Sequence, residues 1–138
     1  MVLSKMNTPV TFTPVEQLLR ESLIDIVVEK HEVNLLIKAV FLFSRSLPFF
    51  VGHFPTEPIF PAVLQLAIVR FLSSDAIDTP LKNVSVGKTK FSHIIRPEEK
   101  VMVNIDLSLQ HIEYEAKFKF FNESKVASSG SIKYEKEG

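Results

Sequence analysis

The stretch Gly52–Leu66, GHFPTEPIFPAVLQL, decides the fold. Pro55, Pro58 and Pro61 each fix their own φ and bias the residue before them toward extended backbone, so the chain up to Pro61 is a loop. Pro61 suits the first position of a helix. Behind it runs PAVLQLAIVRFLSS, in which only Gln65 and Arg70 are polar before the serines, and Asp75 or those serines end the run. A helix that is apolar nearly all round is a buried helix. A small domain hides one such helix by wrapping a sheet around it.

The flanks supply that sheet. Upstream, the loop reaches back to Ser44 and takes in Pro48, yet Phe49, Phe50, Val51, Phe54, Ile59 and Phe60 make it large and apolar. A long loop of that composition is packed, and such loops often carry function. In 33–43, Val33, Leu35, Ile37, Ala39, Phe41 and Phe43 share one face at period two. Leu36, Val40 and Leu42 on the other face predict that something covers it. Leu23 to Glu29 reads as a strand, Pro14 to Arg20 as a short helix with Thr13 as its cap, and residues 1–10 as a flexible lead-in.

Downstream, Leu81 to Phe91 reads as a strand carrying Val84 and Val86. Val101, Val103, Ile105, Leu107 and Leu109 give the cleanest half-buried alternation in the chain. Two further strands are predicted over Glu113–Phe121 and Val126–Tyr134. Turns fall at Arg96–Glu99 and Phe121–Ser124, and 136–138 form a frayed tail. The expectation is a single α+β domain over 1–138, an antiparallel sheet curled round one apolar helix. Its sheet edge needs cover, which a homodimer gives.

Composition narrows the function. The 138 residues are 46% hydrophobic with twelve Phe, which excludes global disorder. There is no Cys, so disulfides, thiol catalysis and thiolate metal sites are excluded. Sixteen Lys+Arg balance sixteen Asp+Glu, so no basic surplus exists for a general grip on nucleic acid. The first ten residues lack the apolar core of a secretory signal, and the nearly apolar stretch Ile59–Leu72 falls short of the roughly 20 residues that cross a bilayer. The expectation is a soluble, cytoplasmic protein. His31, His93 and His111 stand in unrelated contexts, no H-E-x-x-H spacing exists, and no metal site is expected. Gly87-Lys88-Thr89 ends like a phosphate loop, but Lys82 stands where the first glycine belongs, which rejects nucleotide binding.

GHFPTEPIFPAVLQL resembles the active-site segment of the hot-dog-fold 3-hydroxyacyl-[acyl-carrier-protein] dehydratases, with a pattern near G-H-F-P-x-x-P-[IV]-x-P-G-V. Thioesterases share that architecture. The stretch VLQL, 63–66, is closest to the dehydratase-like branch of the aryl-polyene pathways. The resemblance extends loosely from Leu47 to Phe91, and the later strands agree in order. It implies a hot-dog fold, a homodimer, and substrate delivered on the phosphopantetheine of an acyl carrier protein, with no other cofactor. By the same resemblance His53 handles the C2 proton. Ala62 replaces the glycine whose N–H holds the thioester carbonyl. Phe54, Pro61 and Val63 border the substrate, and the family's acid is matched by Ala67.

Dehydration needs a base at C2, a donor to the C3 oxygen, and dipoles for the charge on the thioester oxygen. The unperturbed pKa of a histidine lies near working pH, so His53 serves the first need. Unpaired N–H groups at a helix start serve the third. Alanine at 67 cannot move a proton, so the second need is unassigned. Glu57, Gln65, Asp75 and His93 are the candidates, although Gln65, about 200° from Ala67 round the helix, points elsewhere. The expected function is a 3-hydroxyacyl-thioester dehydratase. The alternatives are a hot-dog thioesterase, or a non-catalytic acyl-binding or partner subunit of a heteromer whose other chain brings the acid. Lys88, Lys90, Lys117 and Lys119 read as solvated strand positions, some facing an acidic carrier.

Overall fold

The computed structural model describes residues 14–48, 50, 60–110 and 112–137. Helix α1 (Pro14–Ser22) leads into β1 (Leu23–Lys30) and β2 (Asn34–Leu42). After the proline-rich segment comes α2 (Ala62–Ala76), then β3 (Leu81–Val86), β4 (Lys90–Phe91), β5 (Lys100–Gln110), β6 (Glu113–Asn122) and β7 (Lys125–Lys136). The strands form one antiparallel sheet in the order β1-β2-β5-β6-β7-β3, with β4 also paired to β7. Its inner face carries the period-two residues read from the sequence. Ile37, Ala39 and Phe41 of β2, Val101, Val103, Ile105 and Leu107 of β5, and Ala116, Phe118 and Phe120 of β6 are all buried. They close on Ile68, Val69, Phe71 and Leu72 of α2. This is the hot-dog architecture that the resemblance implied.

Several expectations are corrected. Leu81–Phe91 is not one strand: it breaks after Val86 and resumes at Lys90. The cause is close approach to β7. A Cβ on Gly87 would collide with Ser131 Oγ, and one on Gly130 would lie 2.7 Å from Thr89 Oγ1. Glycine at both positions lets the chains touch while Gly87 N–H donates to Ser131 O at 2.8 Å. Pro61 is the N-cap and not the first helical residue. Its ψ of 144° is extended, and its carbonyl accepts from Leu64 and Gln65 N–H. The end of the chain is held as far as Glu137: Lys136 is the last residue of β7, and Glu137 N–H donates to Pro80 O at 3.0 Å. Val33 precedes β2 and is 75% exposed instead of facing inward. The second face of β2 has no cover within the described residues: Leu36 and Val40 are half-buried and Leu42 is exposed.

α2 is also less enclosed than its composition suggests. Val63 is 70% exposed, Arg70 is exposed, and Leu66 and Ala67 are half-buried, so an open stripe runs down one side. Its far end is fixed by α1. Arg20 Nη2 lies 2.8 Å from Asp75 Oδ1, and its guanidinium sits 4.9 Å from the centroid of the Phe71 ring.

Tyr134 of β7 is fully buried, and its hydroxyl has no partner among the described residues. Burial pushes its pKa well above the usual phenol value, against a small opposing pull from Arg70. A folded state that keeps this proton longer than the unfolded state loses stability as pH rises above about 10. Tyr134→Phe removes the orphaned hydroxyl. It is expected to raise stability by about 1 kcal/mol at neutral pH and by more at alkaline pH. Urea unfolding at pH 7 and pH 10.5, a pair chosen to straddle roughly the free-phenol pKa, checks both parts.

Candidate active site at the start of helix α2

The site grows from the junction between the proline-rich segment and α2. Phe60 is buried, with its ring stacked on Phe43 at 4.4 Å and tilted against Phe50 at 5.9 Å. Phe43 in turn stacks on Phe41 at 5.3 Å. This column of rings extends β2 into the loop and fixes where the helix begins. The backbone is pinned as well: Phe60 N–H donates to Ile95 O at 2.8 Å, and Glu98 N–H to Phe43 O at 2.7 Å. Arg45 N–H donates to Glu98 Oε2 at 2.7 Å. Asn122 Nδ2 ties the same region together through Ile94 O and Glu99 Oε1. The packed loop expected from the sequence is therefore seen at its described flanks.

At this junction α2 begins with no side-chain cap and no acid in its first turn. The N–H groups of Ala62 and Val63 precede any carbonyl the helix can offer them. They give the site hydrogen-bond donors and the positive end of a fifteen-residue helix dipole. Both residues are exposed. Such an end holds a developing negative charge on an oxygen.

The side chains around it divide clearly. Gln65 is turned inward, 4% exposed, and accepts a 2.7 Å hydrogen bond on Oε1 from the buried Ser128 hydroxyl of β7. Its carboxamide is engaged in holding α2 to the sheet. Ala67 lies on the open stripe with Val63 and Arg70, where an acid would face outward from this chain. Asp75 is in the last turn, paired with Arg20 and about 20 Å along the axis from Ala62, which takes it out of reach. His93 is exposed between β4 and β5, and its backbone N–H donates to Ala127 O at 3.1 Å. That brings its segment beside Ala127 and Ser128 of β7. His53, Phe54 and Glu57 lie outside the described residues. His31 stands at the β1–β2 turn with Glu29, 3.8 Å away, at the opposite end of the sheet. Among the described residues no three His, Asp or Glu group to hold a metal, and no helix is long and apolar enough to cross a membrane.

Ser128 is the residue that sequence reasoning missed. It is one of two adjacent serines on a strand, and its partner Gln65 is 63 positions away, so no local pattern marks it. Ser128→Ala would leave Gln65 Oε1 buried without a donor. The expected cost is about 1–3 kcal/mol, with partial recovery in Ser128→Ala/Gln65→Leu, measured as shifts in the urea midpoint.

Comparison with known proteins is consistent with this geometry. The family model described as ApeI-like, ApeI dehydratase, matches residues 28–131. The 3-hydroxyacyl-[acyl-carrier-protein] dehydratase FabZ of Burkholderia mallei is 29% identical over 122 residues, covering 80% of this chain and 77% of that protein. The FabZ of Caldicellulosiruptor saccharolyticus is 31% identical over 94 residues, covering 62% of this chain. The match spans 66% of that relative's length. Among solved structures, an uncharacterised protein of Erwinia carotovora superposes with a TM-score of 0.71 at 20% identity, over 83% of this chain and 94% of that one. The dehydratase heterocomplex ApeI:P of Xenorhabdus doucetiae superposes with a TM-score of 0.62 at 19% identity, over 81% and 99%. At these identities the structural likenesses show the fold alone.

Proposed function

The chain belongs to the ApeI-like dehydratase family, and from that premise we propose that it removes water from 3-hydroxyacyl thioesters carried on an acyl carrier protein. The observation that supports this most is the uncapped start of α2 directly behind the GHFP segment. The thioester oxygen sits at the N–H groups of Ala62 and Val63, whose dipoles stabilise the charge that builds there. With that charge held, the C2 proton passes to an imidazole nitrogen of His53. The C2–H electrons form the C2=C3 double bond, the C3–O bond breaks, and the oxygen takes a proton and leaves as water. Phe54, Pro61 and Val63 shape the entry of the acyl group. The open stripe of α2 and the exposed Val84, Val86 and Phe91 on the edge strands β3 and β4 favour a second subunit against this side.

Ala67 favours one variant of this reading. A homodimer repeats the alanine, and the proton for the leaving oxygen then comes from His53 itself or from Glu57. A partner hot-dog subunit with a carboxylate at the matching helix position would complete the site. The ApeI:P heterocomplex among the structural neighbours is a precedent for such pairing.

The test runs the reaction in reverse. A 2-enoyl thioester on its carrier is given to the purified chain, and the conjugated absorbance is followed. Decay of the absorbance with the acyl group retained supports dehydratase chemistry. Release of the acyl group points to a thioesterase. Decay only after adding an acid-bearing subunit identifies the heteromer.

A further inference from the structure

The open stripe of α2 carries a single charge. Successive helix residues turn by about 100°, so Val63, Leu66, Ala67, Arg70 and Ser74 project within a sector of about 100°, with Arg70 near its middle. Val63 and Arg70 are exposed, and the other three are half-buried. Arg70 is also one residue from the centre of the fifteen-residue helix. Its guanidinium lies close enough to the buried phenol of Tyr134 to act on that group's charge. Tyr134 is the register partner of Asn83 on β3, the strand at the edge of the sheet. The charge therefore stands where the stripe meets the edge that bears the exposed Val84 and Val86. Arg70 makes no ion pair among the described residues. The one acid of α2, Asp75, is paired with Arg20 at 2.8 Å, and Glu135, next to Tyr134 on β7, is paired with Lys82 at 3.1 Å.

We propose that Arg70 selects the subunit that covers this stripe: it rejects a second copy of the chain and accepts a non-identical subunit whose own central helix carries a carboxylate near its middle. The inference rests on the second subunit invoked above, and it adds the recognition chemistry. A two-fold contact sets each surface against itself, so residues near the axis meet their own copies. Packed helices lie about 8–10 Å apart. With the stripes centred on each other and the helices antiparallel, the two Arg70 residues are offset by only about 3 Å along the axis, well within the reach of their side chains. Two guanidinium groups would then lose water together with no carboxylate from either stripe between them. Such a like-charge contact suppresses the wrong partner, while one carboxylate in place of one guanidinium turns the repulsion into a bidentate pair. The apolar Val63 and Leu66 supply contact area to either partner, so the charge is what discriminates.

The experiment uses the full chain and lets its own Arg70→Glu variant stand in for the acid-bearing partner. Sedimentation velocity measures self-association of wild type, Arg70→Leu, Arg70→Lys and Arg70→Glu, and hetero-association of wild type with Arg70→Glu, at two salt concentrations. Arg70→Leu is expected to self-associate about ten-fold or more tightly than wild type, and Arg70→Lys to match wild type. The mixture of wild type with Arg70→Glu is expected to associate about ten-fold or more tightly than either chain alone, with an advantage that shrinks at high salt. A mixture of wild type with Lys38→Glu, reversed on the far face of the sheet, should associate no better than wild type. Thermal unfolding checks that each variant is folded, as expected for an exposed position. Self-association of wild type as tight as that of Arg70→Leu overturns the proposal. So does a mixture with Arg70→Glu that is no tighter than its separate chains, or one matched by the Lys38→Glu mixture. Association is read with no substrate present, so the two readings fail separately. Charge-dependent pairing in a chain that never hydrates a 2-enoyl thioester, alone or with an acid-bearing subunit, removes the activity and leaves this surface standing. Turnover without charge-dependent pairing does the reverse.

Discussion

His53→Ala is expected to lower dehydration by about 10²–10⁴-fold, the range typical of losing a positioned general base. The loss should appear in kcat and kcat/KM together, because the imidazole acts on the proton in flight and not on the acyl chain. His53→Gln should be as inactive, since an amide hydrogen-bonds but does not take the proton. Thermal unfolding of both variants should match wild type, as the segment is anchored at its described flanks by Phe43, Phe50 and Phe60. A variant that keeps most of its activity would remove His53 from the reaction. Steady-state rates with one carrier-bound 3-hydroxyacyl substrate make the comparison.

Ala67→Glu is expected to raise dehydration by the chain on its own by about 10²-fold, the low end of what a general acid contributes. The position is half-buried on the open stripe of α2, one turn before Arg70. A guanidinium three residues along the same face holds a carboxyl toward its ionised form, and an ionised carboxylate donates no proton. The gain should therefore be larger in Ala67→Glu/Arg70→Ala, and the pH profile of the single variant should fall off at lower pH than that of the double. No gain in either variant would mean that Ala67 does not face the reacting oxygen in the assembled protein.

The elements with a strong internal period were legible in the sequence. The alternation in β5 and β6 placed every buried residue from Val101 to Leu107 and from Ala116 to Phe120, because one face of a curled sheet must be apolar. The central helix was legible from its composition and from Pro61, and the family resemblance from fifteen residues around it. What stayed hidden depends on register between distant segments. The break between β3 and β4 follows from where Gly87 meets Ser131, and the inward role of Gln65 from where Ser128 falls on β7. The sequence alone puts Pro61 one residue too far into the helix, because a proline suits both the cap and the first turn and only ψ separates them.

The start of α2 is fixed independently of residue 67. The ring column and the Phe60–Ile95 hydrogen bond place the helix end without help from residue 67. Under the proposed function, holding the thioester oxygen is therefore separable from donating a proton to the leaving group.

The most direct test of a dehydratase-type site at this helix end is the intact mass of a 3-hydroxyacyl group on its carrier, before and after incubation with excess wild-type chain. The expected result is loss of the mass of one water, by the chain alone or once an acid-bearing subunit is added, and no loss with His53→Ala. Loss of the whole acyl group, or an unchanged mass under both conditions, would contradict it.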